Sequence, residues 1–189
     1  MYNLKVHSQV VRPEQALFLL QFLLPQLKSE QAITQKVLSA VPPDRESYRP
    51  DAKSRSAFEL ARHIAFVEIW FLDGVISKYF EETVRAADSV RTCGDVIHWY
   101  AENAARCMGL VEALSGNDLA TPVDWLGLRN DPAVVYLNIA IRHSVHHRGQ
   151  LSAYLRPMGA KVPAIYVESA DEPFPPIDGN SPKQPPPAF

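Results

Sequence analysis

Four long stretches of the sequence have the apolar spacing of amphipathic α-helices, and this pattern restricts the fold more than any other feature. In the first stretch, Leu17, Leu20, Leu24 and Leu27 recur three and four residues apart, which places them on one helix face. Prolines and capping residues bound the four stretches. The sequence therefore predicts an all-α fold, a four-helix bundle. Its helices are predicted from Pro13 to about Ala40, from Ala57 to about Phe80, from Thr92 to about Ser115, and from Asp131–Pro132 to about Leu155.

The connections and the C-terminal end complete this organisation. Asp131 followed by Pro132 predicts an N-cap with proline in the first turn of the last helix. The preceding segment, residues 119–128, is compatible with either a short hairpin or an irregular loop. Residues 171–189 contain seven of the 16 prolines, which predicts an extended tail. We therefore expect a bundle domain over residues 1–170 and a Pro-rich tail, 171–189, that packs on the bundle or on a neighbouring molecule.

Charge and composition exclude several classes of function. The chain has a net charge of -2, whereas duplex-binding proteins normally have a basic excess. No apolar run approaches 18 residues, so the sequence contains no candidate transmembrane helix. Cys93 and Cys107 form no CxxC motif, and unpaired thiols are typical of a reducing compartment. We therefore expect a cytoplasmic protein that binds neither nucleic acid nor membrane.

Three histidines fall within five residues of the last predicted helix. His143 and His147 are i,i+4 neighbours on a largely apolar stripe, so their rings should point into the bundle from adjacent turns. This spacing lets two imidazoles bind one metal ion, as in HExxH, although the glutamate of that motif is missing here. His146 lies about 60° from His143 and could replace His147 through the i,i+3 spacing.

A third ligand has to come from another helix. His63 is the candidate, because it shares an inward-facing stripe with Leu60, Val67 and Trp70 on the second predicted helix. Three histidines with one position left for water or substrate are typical of a catalytic zinc site. The alternative is that each ring is an ordinary hydrogen-bonded histidine. That alternative is favoured for His7 and His98, which belong to no motif.

The residues around these histidines resemble a known family. The segments are LARH at residues 60–63, HSVHHRGQL at 143–151 and YLRPMGAKVPAIY at 154–166. They resemble the DinB/YfiT-like family, whose members are regarded as metal-dependent enzymes. The resemblance implies an up-down four-helix bundle with a long crossover. It also implies nickel or zinc held by His63, His143 and His147, with His146 as a neighbour of the ligands.

The resemblance also implies a function. Relatives include thiol-dependent S-transferases and a mycothiol-dependent maleylpyruvate isomerase, so we expect a divalent-metal-dependent transferase or hydrolase acting on a small molecule, with a low-molecular-weight thiol as a candidate co-substrate. The alternative is a non-catalytic, dimeric stress or damage-inducible protein with a structural or vestigial metal site. The absence of an open coordination position, or of a cavity beside the histidines, would favour this alternative. Family habit predicts a homodimer, and we expect Phe66 and Ile69 to lie on its outer apolar faces.

Four further side chains are candidates for supporting roles. Gln150 follows His147 by three residues and could fix a ligand or the substrate. Gln31 and Thr34 occupy inward positions of the first predicted helix, where they either line the cavity or reflect an imperfect register. Arg148 is expected to form a salt bridge near the helix surface.

Overall fold

A computed structural model describes residues 10–83 and 88–173 of the chain. The predicted all-α fold is confirmed: four long helices form the body, supplemented by a short helix and one hairpin. His7 and the Pro-rich tail from residue 174 onwards lie outside the described residues. The elements are α1 (Pro13–Ser39), a 3₁₀ turn (Pro43–Arg45), α2 (Ala57–Ser77), α3 (Cys93–Glu112), α4 (Gly116–Ala120), β1 (Pro122–Trp125), β2 (Arg129–Pro132) and α5 (Ala133–Leu155).

Local sequence explains where α2 begins and ends. The Ser56 hydroxyl accepts a hydrogen bond from the Glu59 N–H, and the Glu59 carboxylate accepts one from the Ser56 N–H, and these two bonds form a capping box. The helix ends at Ser77, three residues before the predicted end, because Lys78 adopts a left-handed conformation with φ 64°. Phe80 consequently folds back into the core, where it is 1% exposed.

The segment before α5 forms a hairpin, one of the two predicted alternatives. Its strands pair antiparallel, with Val123 opposite Asp131. The prediction that Asp131 caps the last helix is wrong, because Asp131 and Pro132 belong to β2 and the helix begins at Ala133. The Asp131 carboxylate instead accepts a 2.6 Å hydrogen bond from Arg129 Nε, and the backbone N–H of Asp131 donates to Tyr136 Oη.

The third long helix, α3, also ends before its predicted end near Ser115, because its last residue is Glu112.

The four long helices surround one core. α2 packs against α3 and α5, and α1 packs against the same two helices, so the order around the bundle is α1, α5, α2, α3. Phe66 stacks on Trp99, and seven residues further along both helices Asp73 pairs with Arg106. These contacts show that α2 and α3 run parallel. Residues 78–92 therefore join two parallel helices, as a long crossover does.

The burial of individual side chains contradicts the expectation for two apolar residues of α2 and agrees with the expectation for the two cysteines. Phe66 and Ile69 are 4% and 3% exposed, so they belong to the core and not to an outer face. The two cysteines are buried and unpaired, and burial, the largest cause, raises the pKa of Cys93 and of Cys107 to about 12. Among the described residues, no helix is both long enough and apolar enough to cross a membrane.

Candidate metal centre

The structure brings His63, His143 and His147 together at one point between α2 and α5. His63 Nε2 lies 3.2 Å from His147 Nε2 and 3.1 Å from His143 Nε2. One nitrogen from each ring lies within 4.8 Å of the other two. The helices are antiparallel here, since Phe71, two turns after His63 on α2, packs against His143 and against Trp125, which precedes α5. The i,i+4 spacing on α5 then presents two rings to the single ring on α2.

The geometry of these nitrogens fits a divalent cation. Metal–imidazole bonds of about 2.0–2.1 Å in a tetrahedron separate neighbouring nitrogens by about 3.3–3.4 Å, close to the distances between His63 Nε2 and its two neighbours. Within the described residues, His143 Nδ1 is buried and has no hydrogen-bond partner. Its burial is therefore not compensated by a hydrogen bond on that side of the ring, and the Nε2 side faces the cluster.

The surroundings keep the three rings neutral. Burial, followed by the charge of Arg55 and then His147, lowers the pKa of His63 to about 4. Burial and the neighbouring histidines, His147 first, lower the pKa of His143 to about 3. Burial also lowers the pKa of His147, against the opposing effect of its hydrogen bond with Gln150. A neutral imidazole has the lone pair that a metal ligand requires.

Gln150 lies beside His147, as the sequence spacing predicts. Its Oε1 is 2.8 Å from His147 Nδ1, and its Nε2 is 3.2 Å from His146 Nε2. When His147 Nδ1–H donates to Gln150 Oε1, the lone pair of the ring is on Nε2 and faces the other two histidines. The exposed His146 ring makes an edge-to-face contact with the His147 ring, with centroids 4.7 Å apart. His146 is not part of the three-histidine cluster.

The other polar candidates form a separate interior network. Gln31 donates to the Glu68 carboxylate at 3.0 Å, and Thr34 accepts from Arg148 at 3.2 Å. In the described residues, the hydrogen bonds of Gln31 and Thr34 thus go to Glu68 and Arg148, and not to the histidines. The expectation that Arg148 lies near the helix surface is wrong, because Arg148 is 1% exposed and pairs with Glu30 of α1. The sequence gives no local signal for this pairing, since the two residues are 118 positions apart.

A cavity of about 510 Å³ opens beside His63. It lies at the beginning of α2 and has an apolar part formed by Phe66 and Val67. Its remaining lining is largely basic and was not singled out from the sequence. The signal that could have revealed it is the cluster of Arg49, Lys53, Arg55 and Arg62 shortly before the histidine.

These features define a class of protein, the helical bundles with a three-histidine candidate metal site. The sequence model of the DinB family matches residues 17–176, and the chain therefore belongs to the DinB family. It is similar to the uncharacterized protein YjoA of Bacillus subtilis (strain 168), with 25% identity over 134 residues, covering 69% of this chain and 85% of the relative.

Solved structures have the same fold. A crystal structure of a DinB-like protein from Bacillus subtilis, YjoA, has a TM-score of 0.65 and 22% identity, covering 76% of this chain and 96% of that one. A DinB-like protein from Bacillus cereus ATCC 10987 has a TM-score of 0.66 and 25% identity, covering 76% and 95%. Both similarities extend over nearly the whole of the solved chains.

Proposed function

We propose that this chain is a divalent-metal-dependent enzyme that acts on a small molecule, with nickel or zinc held by His63, His143 and His147. The observation that supports this most is the mutual approach of three ring nitrogens at distances suited to one cation. The second support is the cavity beside His63, which leaves space for a substrate. The low pKa values of His63 and His143 keep their rings in the metal-binding form.

When bound, the cation supplies a Lewis acid that lowers the pKa of a thiol or a water coordinated to it. The chain itself positions the ligands, because Gln150 orients the ring of His147. In an S-transfer reaction the thiol has to come from a separate small molecule. Cys93 and Cys107 are buried, and their pKa of about 12 leaves almost no thiolate at neutral pH.

The alternative proposal is a non-catalytic, damage-inducible stress protein with a structural or vestigial metal site. Structural metal sites are closed on all sides by protein ligands, whereas catalytic sites keep a position open. The three-histidine set with a cavity at His63 therefore favours the enzyme. S-transfer and hydrolysis are separated by assaying the metal-loaded protein with electrophiles in the presence and absence of low-molecular-weight thiols.

The metal assignment is tested by comparing His147→Ala with His146→Ala. We expect His147→Ala to lose bound nickel or zinc, with a drop in affinity beyond the ~10–100-fold typical of residues that only support a ligand. His146→Ala should retain the metal, because its ring lies outside the cluster. Elemental analysis of both purified variants measures this. If His147→Ala retains the metal and His146→Ala loses it, then His146 is the ligand and His147 is not. If the metal content is unchanged in both variants, the assignment of the metal site to these histidines is wrong.

A homodimer is the remaining part of the proposal. Phe66 and Ile69 give no support to a dimer, because they are buried in the core. α1, however, has apolar side chains on its surface, among them those of Phe18 and Phe22, which are 67% and 64% exposed. We expect light scattering to give twice the chain mass of 21.2 kDa. Substituting both phenylalanines by serine should then shift the mass towards the monomer. A wild-type mass equal to that of one chain would contradict the dimer.

A further inference from the structure

The cavity beside His63 has a charge that differs from the rest of the chain. Four cationic side chains line it, those of Arg49, Lys53, Arg55 and Arg62, against the single carboxylate of Glu59. The chain as a whole is acidic, with a net charge of -2. The cavity next to the candidate metal centre therefore has a local excess of positive charge.

The only carboxylate of the lining already has its partners. Glu59 accepts hydrogen bonds from the Ser56 N–H at 2.7 Å and from Arg49 Nη2 at 3.1 Å. Arg49 is thereby neutralised. Among the described residues, no ion pair joins Lys53, Arg55 or Arg62 to a carboxylate. Three cations of the cavity thus have no carboxylate partner in the part of the chain that the structure describes.

Arg55 connects this charge to the histidines. Its positive charge contributes to the lowered pKa of His63, His143 and His147, so the guanidinium acts on all three rings. Arg62 lies one position before His63 on α2, with its guanidinium 5.5 Å from the centre of the Phe58 ring. Arg55, Arg62 and His63 line the same cavity, so a ligand bound there can contact the cations and, through His63, reach the edge of the histidine cluster.

We infer that this cavity binds the carboxylate or phosphate group of an anionic small molecule, through Lys53, Arg55 and Arg62, while the other end of the molecule reaches the histidine cluster. The inference rests on the proposed function only for this second half, because the anion contacts need no metal. Guanidinium groups suit carboxylate and phosphate because their donors match both oxygens of the anion.

The first experiment uses the metal-free protein and inorganic phosphate. Phosphate is titrated while the NMR signals of the arginine side chains and of the histidine rings are followed. We expect saturable shifts and an affinity about tenfold lower in Arg55→Gln, the loss typical of a hydrogen bond to a charged group. Arg62→Gln should show the same trend. Lys28→Gln removes the same charge from a side chain paired with Glu112 outside the cavity, and it should bind phosphate like the wild type.

The second experiment uses the nickel-loaded protein and two thiols of equal spacer length. 3-Mercaptopropionate carries a carboxylate and cysteamine an ammonium group, and the absorption band of sulfur bound to nickel reports their binding. We expect the wild type to bind the carboxylate thiol about tenfold more tightly than the ammonium thiol. Arg55→Gln should lose this preference, and increasing salt should weaken it.

The outcomes separate this inference from the proposed function. Phosphate affinity that is unchanged in Arg55→Gln and Arg62→Gln overturns the inference, whatever the metal content. Equal binding of the two thiols by the wild type also overturns it, while leaving the metal site intact. Phosphate binding that depends on Arg55 in a protein that takes up neither nickel nor zinc supports the anion site and overturns the metal-dependent function.

Discussion

Two i,i+4 pairs of polar residues lie on α5, offset from each other by a single residue, and they contact different parts of the bundle. His143 and His147 face the histidine of α2, whereas Ser144 and Arg148 face a buried network of hydrogen bonds. Both pairs place polar side chains inside the bundle, where an unpaired polar group is costly. They differ in how the protein compensates for that cost.

The Arg148 network is saturated by the protein itself. Arg148 donates to the Glu30 backbone carbonyl and carboxylate, to Thr34 Oγ1 and to Tyr166 Oη. Nearby, Glu68 accepts from three donors, the side chains of Gln31, Tyr100 and Ser144. Every element of the bundle that surrounds these residues contributes a partner, which is typical of a polar group that specifies and stabilises one arrangement.

The histidine cluster has far fewer partners within the protein. Its three Nε2 atoms face one another, and in the described residues His143 Nδ1 has no hydrogen-bond partner. The second pair therefore depends only on the fold, whereas the first pair is where we propose that a cation joins the three Nε2 atoms. Substitutions at neighbouring positions of α5 should therefore separate binding from stability.

The largest effect on stability is expected at Arg148. Arg148→Met keeps most of the side-chain volume but leaves the Glu30 carboxylate, which is 14% exposed, without its cation. Breaking a buried ion pair from one side costs about 3–5 kcal/mol. We therefore expect the free energy of unfolding, measured by chemical denaturation, to fall by about that amount.

Arg142→Met is the matched control, since Arg142 is exposed on the same helix. Its effect should stay within about 0.5 kcal/mol. The folded fraction of Arg148→Met should still bind one metal ion per chain. A loss below about 1 kcal/mol for Arg148→Met would show that the network contributes little stability, and the comparison would fail.

The contrast between these two pairs also shows how far the sequence could predict the structure. The inward register and spacing of His143 and His147 are local properties of one helix, and His63 follows from the register of a second helix. The burial of Arg148 depends on Glu30 and Tyr166, which only the packing of α1 and the segment after α5 brings close. Arginine is seldom buried, so a surface position was the natural expectation.

The same reasoning explains the errors in the fold. Helix interiors follow from periodicity, but the early end of α2 depends on one backbone conformation, at Lys78. The basic cavity was missed because Arg49, Lys53 and Arg55 lie in a connection, where charged residues are usual. Only the position of that connection beside His63 distinguishes these cations from ordinary surface charge.

A smaller effect is expected at Gln150, which sharpens the comparison on the binding side. Gln150→Ala removes the acceptor for His147 Nδ1, and loss of such a supporting partner lowers metal affinity by about 10–100-fold. Gln150→Glu replaces the amide by a carboxylate but keeps an acceptor oxygen at the same place, and it should retain most of the affinity. Competition with a chromophoric chelator measures both. Equal weakening in the two variants would exclude orientation of His147 as the role of Gln150.

The smallest effect is the change in stability that the titration of Glu68 produces over a single pH unit. Burial, the largest cause, raises the pKa of Glu68 above its ordinary value of 4.5, against the three hydrogen bonds and Arg148, which lower it. Above pH 4.5 the unfolded state then loses this proton before the folded state does. The folded state holds more protons, so the free energy of unfolding should fall as pH rises through this window, by up to about 1.4 kcal/mol per pH unit.

The glutamine of Glu68→Gln cannot ionise, so this variant should lack the fall in unfolding free energy with rising pH. Glu82→Gln, a substitution at an exposed position, should keep it. The measurement is the wild-type minus variant difference in unfolding free energy between pH 4 and pH 8. A difference that falls with pH means that Glu68 prefers to be protonated in the folded bundle, because burial outweighs its three donors. A difference that rises with pH would mean that the donors and Arg148 keep the carboxylate charged. The interior network would then hold a buried anion, and the contrast with the neutral histidine cluster would be one of charge as well as of hydrogen bonding.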